Sequence, residues 1–270
     1  MPLREIVGLT SRSSKLKPTI RKATSRSGVF VVLKTIVDSN ERRLLEYLSG
    51  IKAPSNHTIP LLDAIDLSIG KTIIVLPWKS PLDEVLRFHD RPADIMPLCL
   101  QFIEGVDFLH SCNVAHCDLK PGNVVVDKIS ESAGSPRLFI IDFDLAQSVE
   151  SQDTMTEDWC GTPPWIAPEL GSRDGPTQRY NPILADRWVC GRMIEYFTQY
   201  FRPHERGHKK ILLEFASQLL DVNPRARPEL NKLPVIHGPA KRKSARNEYE
   251  PVPKRHAVRL LQNFVLCHRA

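Results

Sequence analysis

The sequence has no uninterrupted apolar run near the ~20 residues that span a bilayer. Its first residues, Met1-Pro2-Leu3-Arg4-Glu5, lack the apolar core of a secretion signal. The expectation is a soluble protein of the cytoplasm or nucleus, without a membrane partner. The six cysteines (99, 112, 117, 160, 190 and 267) never stand as C-x-x-C, which argues against a zinc site and for free thiols in a reducing compartment. No internal repeat is present. Aromatics make up 7% of the chain, and the basic cluster around Lys241-Arg242-Lys243 has no interleaved aromatic platform for stacking bases. What remains is ordinary: 270 residues, 41% apolar and 25% charged, enough for one large domain or two small lobes.

The formal charge of +6 is unevenly spread. From Gly238 onward eight Lys or Arg face only Glu248 and Glu250, and the preceding residues balance at 29 against 29. Residues 1–34 are also basic. Such ends favour phosphates, acidic partners or a nuclear address, or serve solubility alone; nucleic-acid readout is not expected.

Residues 1–34 contain strand-like runs that end in Val29-Phe30-Val31-Val32-Leu33-Lys34. Asp38 or Ser39 caps a helix carrying Glu41, Leu44, Leu45 and Leu48 at helical period. Two further strands are expected at Pro60–Ile65 and Lys71–Leu76, and Pro77-Trp78-Lys79-Ser80-Pro81 marks a break. Beyond it Ile95–Leu109 reads as a helix, Val124–Val126 and Leu138–Ile141 as short buried strands. Residues Leu184 to about Leu233 read as helical. Gly238–Pro253 reads as a flexible tail, followed by an amphipathic piece (Val258, Leu261, Phe264, Val265).

Three strings follow in fixed order: His116-Cys117-Asp118-Leu119-Lys120-Pro121-Gly122-Asn123, Asp142-Phe143-Asp144, and Ala167-Pro168-Glu169. Phosphoryl transfer asks a protein mainly for positioning and charge compensation. Asp118 suits the orientation of an attacking hydroxyl, and Lys120 can reach the transferred phosphate. Asn123 and Asp142 offer the oxygen ligands that magnesium takes. A loop of capping Asp and Asn residues is the bland alternative. Asp-x-Lys-Pro-x-Asn lying 24 residues before an Asp-Phe, with apolar strands before each acid, outweighs it.

On these strings the chain resembles a eukaryotic protein kinase of the Ser/Thr type over most of its length. The resemblance implies an α+β, two-lobed fold. A small antiparallel β lobe with one helix spans about 1–76, a larger helical lobe about 80–235, and a basic tail 236–270. It implies ATP and Mg2+ as cofactors, a protein substrate with a Ser or Thr acceptor, and a monomer. Val31-Val32-Leu33-Lys34 resembles the strand carrying the family's phosphate-binding lysine, with Glu41 as its partner. Gly8-x-Thr10-x-x-Ser13 stands where the phosphate-covering loop belongs. ATP is expected between the lobes, its adenine against the backbone at Leu76, Pro77 and Trp78. The resemblance makes Trp159–Glu169 the peptide-receiving loop, pairs Glu169 with Arg227, and has Asp186 brace the catalytic loop.

The sequence also departs from the family. Thr10 and Ser13 replace glycines that allow close approach to phosphates, so slow transfer or weak nucleotide binding is expected. Lys34 and Glu41 stand only seven residues apart. Cys117 replaces an arginine that commonly answers an activation-segment phosphate, so activity is expected to depend less on phosphorylation of Thr154 or Thr156. Asp144 replaces a glycine, stiffening the turn after Asp142-Phe143. Only 41 residues separate Asp186 from Arg227, which shortens a helical region. The alternatives are a pseudokinase acting as a nucleotide-binding or scaffold module, and a small-molecule phosphotransferase of the aminoglycoside or choline kinase type. Lys120 and the Gly161–Glu169 loop speak against the second.

Overall fold

The computed structural model of the chain describes residues 20–25, 28–37, 39–67, 70–87, 95–127, 136–175 and 178–234. The expected phosphate-covering loop (Gly8, Thr10, Ser13), the basic tail and the terminal amphipathic piece lie outside these residues. The described chain divides into two compact units, residues 20–50 with 59–78, and 51–58 with 79–234.

The first unit is an antiparallel sheet with one helix. Strands β1 (Ile20–Thr24) and β2 (Phe30–Ile36) precede helix α1 (Ser39–Gly50), and β3 (Asp63–Leu67) and β4 (Lys71–Pro77) follow it. The sheet order is β1-β2-β4-β3, with every neighbouring pair antiparallel. β4 is central, so Ile73, Ile74, Val75 and Leu76 are all buried and the strand reads as a continuous apolar run. Leu44, Leu45 and Leu48 form the buried stripe of α1. The helix is tied to the strands at its solvent side, where Arg42 donates to Asp66 at 2.6 Å. Trp78, the last residue of this unit, donates its backbone N–H to Phe30 at 3.2 Å.

The second unit begins with β5 (Ser80–Pro81) and α2 (Leu82–Arg87). The core helix α3 (Met96–Ser111) follows, then the short strands β6 (Val114–Ala115), β7 (Val124–Val126), β8 (Leu138–Ile140) and β9 (Gln147–Ser148), and finally α4 (Pro182–Thr198) and α5 (Arg206–Leu219). α3 buries Leu98, Cys99, Phe102, Val106 and Leu109, and Phe102 meets Phe197 of α4 with ring centroids 6.0 Å apart. The start of α3 is capped from a distance: buried Glu205 accepts the Ile95 and Met96 N–H groups at 3.0 and 2.8 Å. Residues 51–58 belong to this unit because His57 accepts the Ile140 N–H at 2.7 Å through its carbonyl, while its ring meets Leu138 O and Glu104.

The stretch expected to be helical from Leu184 to Leu233 is instead two helices with a 3-10 turn at Pro203–Glu205 between them, followed by 3-10 turns at Pro224–Ala226 and Leu230–Lys232. Pro203 and Pro224 cannot donate to a preceding turn, so each starts a short new element. Gly191 lets α4 lie close to the end of α5, since a Cβ there would fall 2.9 Å from Leu220 Cγ and 3.1 Å from Ala216 O.

Candidate active site

In the first unit Lys34 points from β2 to Glu41, its Nζ lying 2.8 and 2.7 Å from the two carboxylate oxygens. Both groups are buried, at 7% and 2% exposure, so each needs the other. The seven-residue spacing is enough because β2 ends at Ile36 and α1 begins at Ser39. Glu41 therefore sits in the first helical turn, where the helix dipole favours a carboxylate. Leu76 and Pro77 end β4, and Trp78 continues it at the limit of the unit.

In the second unit the loop 116–123 is held from below by Asp186 of α4. Its carboxylate accepts the backbone N–H groups of His116 at 2.6 Å and Cys117 at 3.0 Å. This bidentate grip holds Cys117 in a left-handed conformation, φ 62°, that a non-glycine residue rarely adopts. His116 is fully buried, and burial lowers its pKa, which keeps the ring neutral. Its Nδ1 accepts the Asp118 N–H at 3.3 Å, so Nε2 carries the proton and donates to Ile141 O at 3.0 Å. The ring also packs on Phe143, with centroids 5.0 Å apart. One histidine thus joins the loop before β7 to the segment after β8.

Asp118 is 6% exposed and accepts from three side chains. Lys120 Nζ lies 2.5 Å and Asn123 Nδ2 3.0 Å from its Oδ2, and the Thr162 hydroxyl donates to Oδ1 at 2.8 Å. Lys120 also donates to the Thr162 oxygen at 2.8 Å. Thr162 is the residue that sequence reasoning did not assign. Its only signal was its place within the Trp159–Glu169 string, and a hydroxyl 44 positions from Asp118 reveals its partner only after folding.

The β7–β8 ladder brings Asn123 and Asp142 into register. Val124 pairs with Ile140, and the Ile141 N–H donates to Asn123 O at 3.0 Å, leaving Asp142 as the next residue. Asp142 has φ 69°, a region in which Asp is tolerated better than most residues. Among the described residues positive φ falls on Asp142 and not on Asp144, so an aspartate in place of glycine at 144 carries no such strain. The donor set suits a hard divalent cation, since both side chains offer oxygen. Asn123 directs its Nδ2 to the backbone and side chain of Asp118, at 2.9 and 3.0 Å, which leaves Oδ1 as its ligand atom.

The loop 159–169 is fastened at its far end. Arg227 forms a two-pronged pair with Glu169 at 2.6 and 2.8 Å and donates also to Leu184 O and Asp221 O. Cys117 meets no arginine-type role here. It is buried with Cys160, Ala167, Tyr180 and Ile183 in one apolar cluster.

The protein kinase domain family matches residues 79–221. The chain is 37% identical over 189 residues to CBL-interacting protein kinase 8 of Oryza sativa subsp. japonica, a match covering 68% of this chain and 39% of that protein. It is 41% identical over 154 residues to CBL-interacting serine/threonine-protein kinase 15 of Arabidopsis thaliana, covering 49% and 34%. It is also 26% identical over 246 residues to serine/threonine-protein kinase 10-A of Xenopus laevis, covering 79% and 25%. The chain thus spans well under half the length of these relatives. With more than half of its residues inside the match, the chain belongs to the protein kinase domain family.

Proposed function

We propose that this chain transfers the γ-phosphoryl group of ATP to Ser or Thr hydroxyls of protein substrates. The observation that carries this reading is the hydroxyl of Thr162 held 2.8 Å from Asp118 and 2.8 Å from Lys120. That is hydrogen-bond distance for a carboxylate acting on an alcohol, with a cation beside it. Asp118 orients the acceptor hydroxyl and takes its proton, and Lys120 offsets charge on the moving phosphoryl group. Lys34, steadied by Glu41, meets the α- and β-phosphates, and the backbone at Leu76, Pro77 and Trp78 meets the adenine. Asp142 and Asn123 would hold magnesium, which supplies charge neutralisation on the phosphate oxygens. Gly8, Thr10 and Ser13 would cover the phosphates. Residues 1–235 form the catalytic domain in this reading, and 236–270 a basic tail outside it.

Transfer of label from γ-labelled ATP to a mixed protein substrate, with magnesium, tests the reading. Incorporation on Ser and Thr is expected, and Asp118→Asn should lower it by about 10²–10⁴-fold without weakening nucleotide binding. Nucleotide binding without any transfer would leave a scaffold in place of an enzyme.

A further inference from the structure

The strand register of the first unit sorts its side chains into rows on one face of the sheet. Residues opposite one another point the same way, and every second residue along a strand shares a face. Ile20, Lys34 and Ile74 make one row, and Lys22, Val32 and Leu76 make the next. Such rows lie about 6.6 Å apart. The Lys22 ammonium leans onto two rings beyond its own row, 4.3 Å from the centroid of Phe30 and 4.0 Å from that of Trp78. The backbone beside these rings is short of donors. Pro77 has no N–H. Trp78 gives its N–H to Phe30 O at 3.2 Å, so these two residues are a hydrogen-bonded pair of the ladder. Bonded pairs recur at every second residue, which places the Leu76 N–H on Val32 and leaves Val31 and Pro77 as the unbonded pair between them. The Pro77 carbonyl therefore turns away from β2, as an acceptor.

We infer that Lys22 is the residue that recognises the nucleotide base, supplying the hydrogen-bond donor that Leu76, Pro77 and Trp78 lack. The inference rests on the phosphotransfer reading and refines its account of the base. Lys34, assigned there to the phosphates, stands one row from Lys22, so phosphates and base follow one another along this face. A purine carries ring acceptors that need a donor, and N–H groups that need an acceptor. Pro77 C=O meets the second need. The ammonium, with three donors and no lone pair, meets the first. Phe30 and Trp78 steady it by cation–π attraction. Phe30 is 45% exposed and Trp78 half-buried, so both rings also offer apolar surface next to the base. A rotatable ammonium beside one carbonyl is less selective than a fixed backbone donor. Guanine presents adjacent O6 and N7 acceptors, which suit lysine, and adenine presents N7 beside an amino group. The site therefore takes GTP as well as ATP.

Equilibrium binding of ATP, GTP and tripolyphosphate to the full chain, with magnesium present, tests this. ATP and GTP should compete for one site with affinities within about tenfold of each other. Lys22→Met keeps the aliphatic stem and should weaken both nucleotides by about tenfold or more. Tripolyphosphate has no base and should bind the variant as it binds the parent chain, which also shows that the variant is folded. Lys22→Arg keeps the donors and the ring contact and should recover most of the loss. Unchanged affinity of Lys22→Met for ATP and GTP would overturn the inference. So would an equal loss of tripolyphosphate, which would make Lys22 a phosphate contact, or exclusion of GTP by a chain that binds ATP. A parent chain that binds neither nucleotide would overturn the phosphotransfer reading itself, and the inference with it.

Discussion

Lys34 and Glu41 neutralise each other in a place where neither charge meets water. Removing one breaks the pair, and breaking a buried pair costs about 3–5 kcal/mol. Lys34→Met should therefore lower the urea midpoint as well as abolish transfer. Lys34→Met with Glu41→Leu should recover most of the stability, with transfer still lost. An unchanged midpoint in Lys34→Met would show that Glu41 finds another partner. Asp142→Asn behaves differently, because Asn also accepts the left-handed backbone at φ 69°. It should abolish transfer while unfolding within about 0.5 kcal/mol of the parent chain. A large loss of stability would make Asp142 a structural residue.

At the scale of elements, two buried carboxylates fasten backbone N–H groups far from them in sequence. One is Asp186 of α4 beneath His116 and Cys117; the other is Glu205 at the start of α3. Glu205→Ala leaves two helix N–H groups without an acceptor and should cost about 1–3 kcal/mol, read from denaturant unfolding. A neutral result would mean that water caps α3 equally well. The loop 159–169 is fastened by Arg227–Glu169 and by the apolar cluster around Cys117. Thr154 Oγ1 accepts the Ser151 N–H, Thr156 Oγ1 accepts the Asp158 N–H, and Thr156 pairs by backbone with Tyr180. With cysteine at 117, no guanidinium stands there to answer a phosphate. Thr154→Ala and Thr156→Ala should each change transfer by no more than about twofold, the size of an ordinary surface effect. A large loss in either would restore phosphorylation as a requirement.

For the whole molecule, burial holds His57 and His116 below the ordinary imidazole value. In the unfolded chain they return to about 6.5. Below that pH the unfolded state binds protons that the native state does not. Stability is therefore full above about pH 6.5 and falls as pH drops through it toward the lowered native values. The slope should reach up to about 1.4 kcal/mol per pH unit for each histidine. Urea midpoints should be lower near pH 5.5 than near pH 7.5, and His57→Asn should flatten the difference. A midpoint independent of pH would show that the two rings bind protons equally in the native and unfolded states.

Local pattern explains which parts were legible in the sequence. The stripe of α1 and the apolar run of β4 are short-range signals, and the spacing of Asp118, Asn123 and Asp142 reflects one loop and one ladder. β3 begins at Asp63 and not at Pro60, because the backbone first spends Leu61 N–H on Ser49 Oγ. The role of Thr162, the gathering of Cys117 and Cys160 into one apolar cluster, and the distant cap from Glu205 arise across 40 or more residues. No window of sequence contains both partners of such a contact.

The most direct measurement is an experimental structure with magnesium and a non-hydrolysable ATP analogue. Oxygens of Asp142 and Asn123 should lie about 2.0–2.1 Å from the metal, with the Asp118 carboxylate facing the terminal phosphate. A bound nucleotide whose metal is held by other residues, with Asp142 and Asn123 turned away from it, would contradict the account.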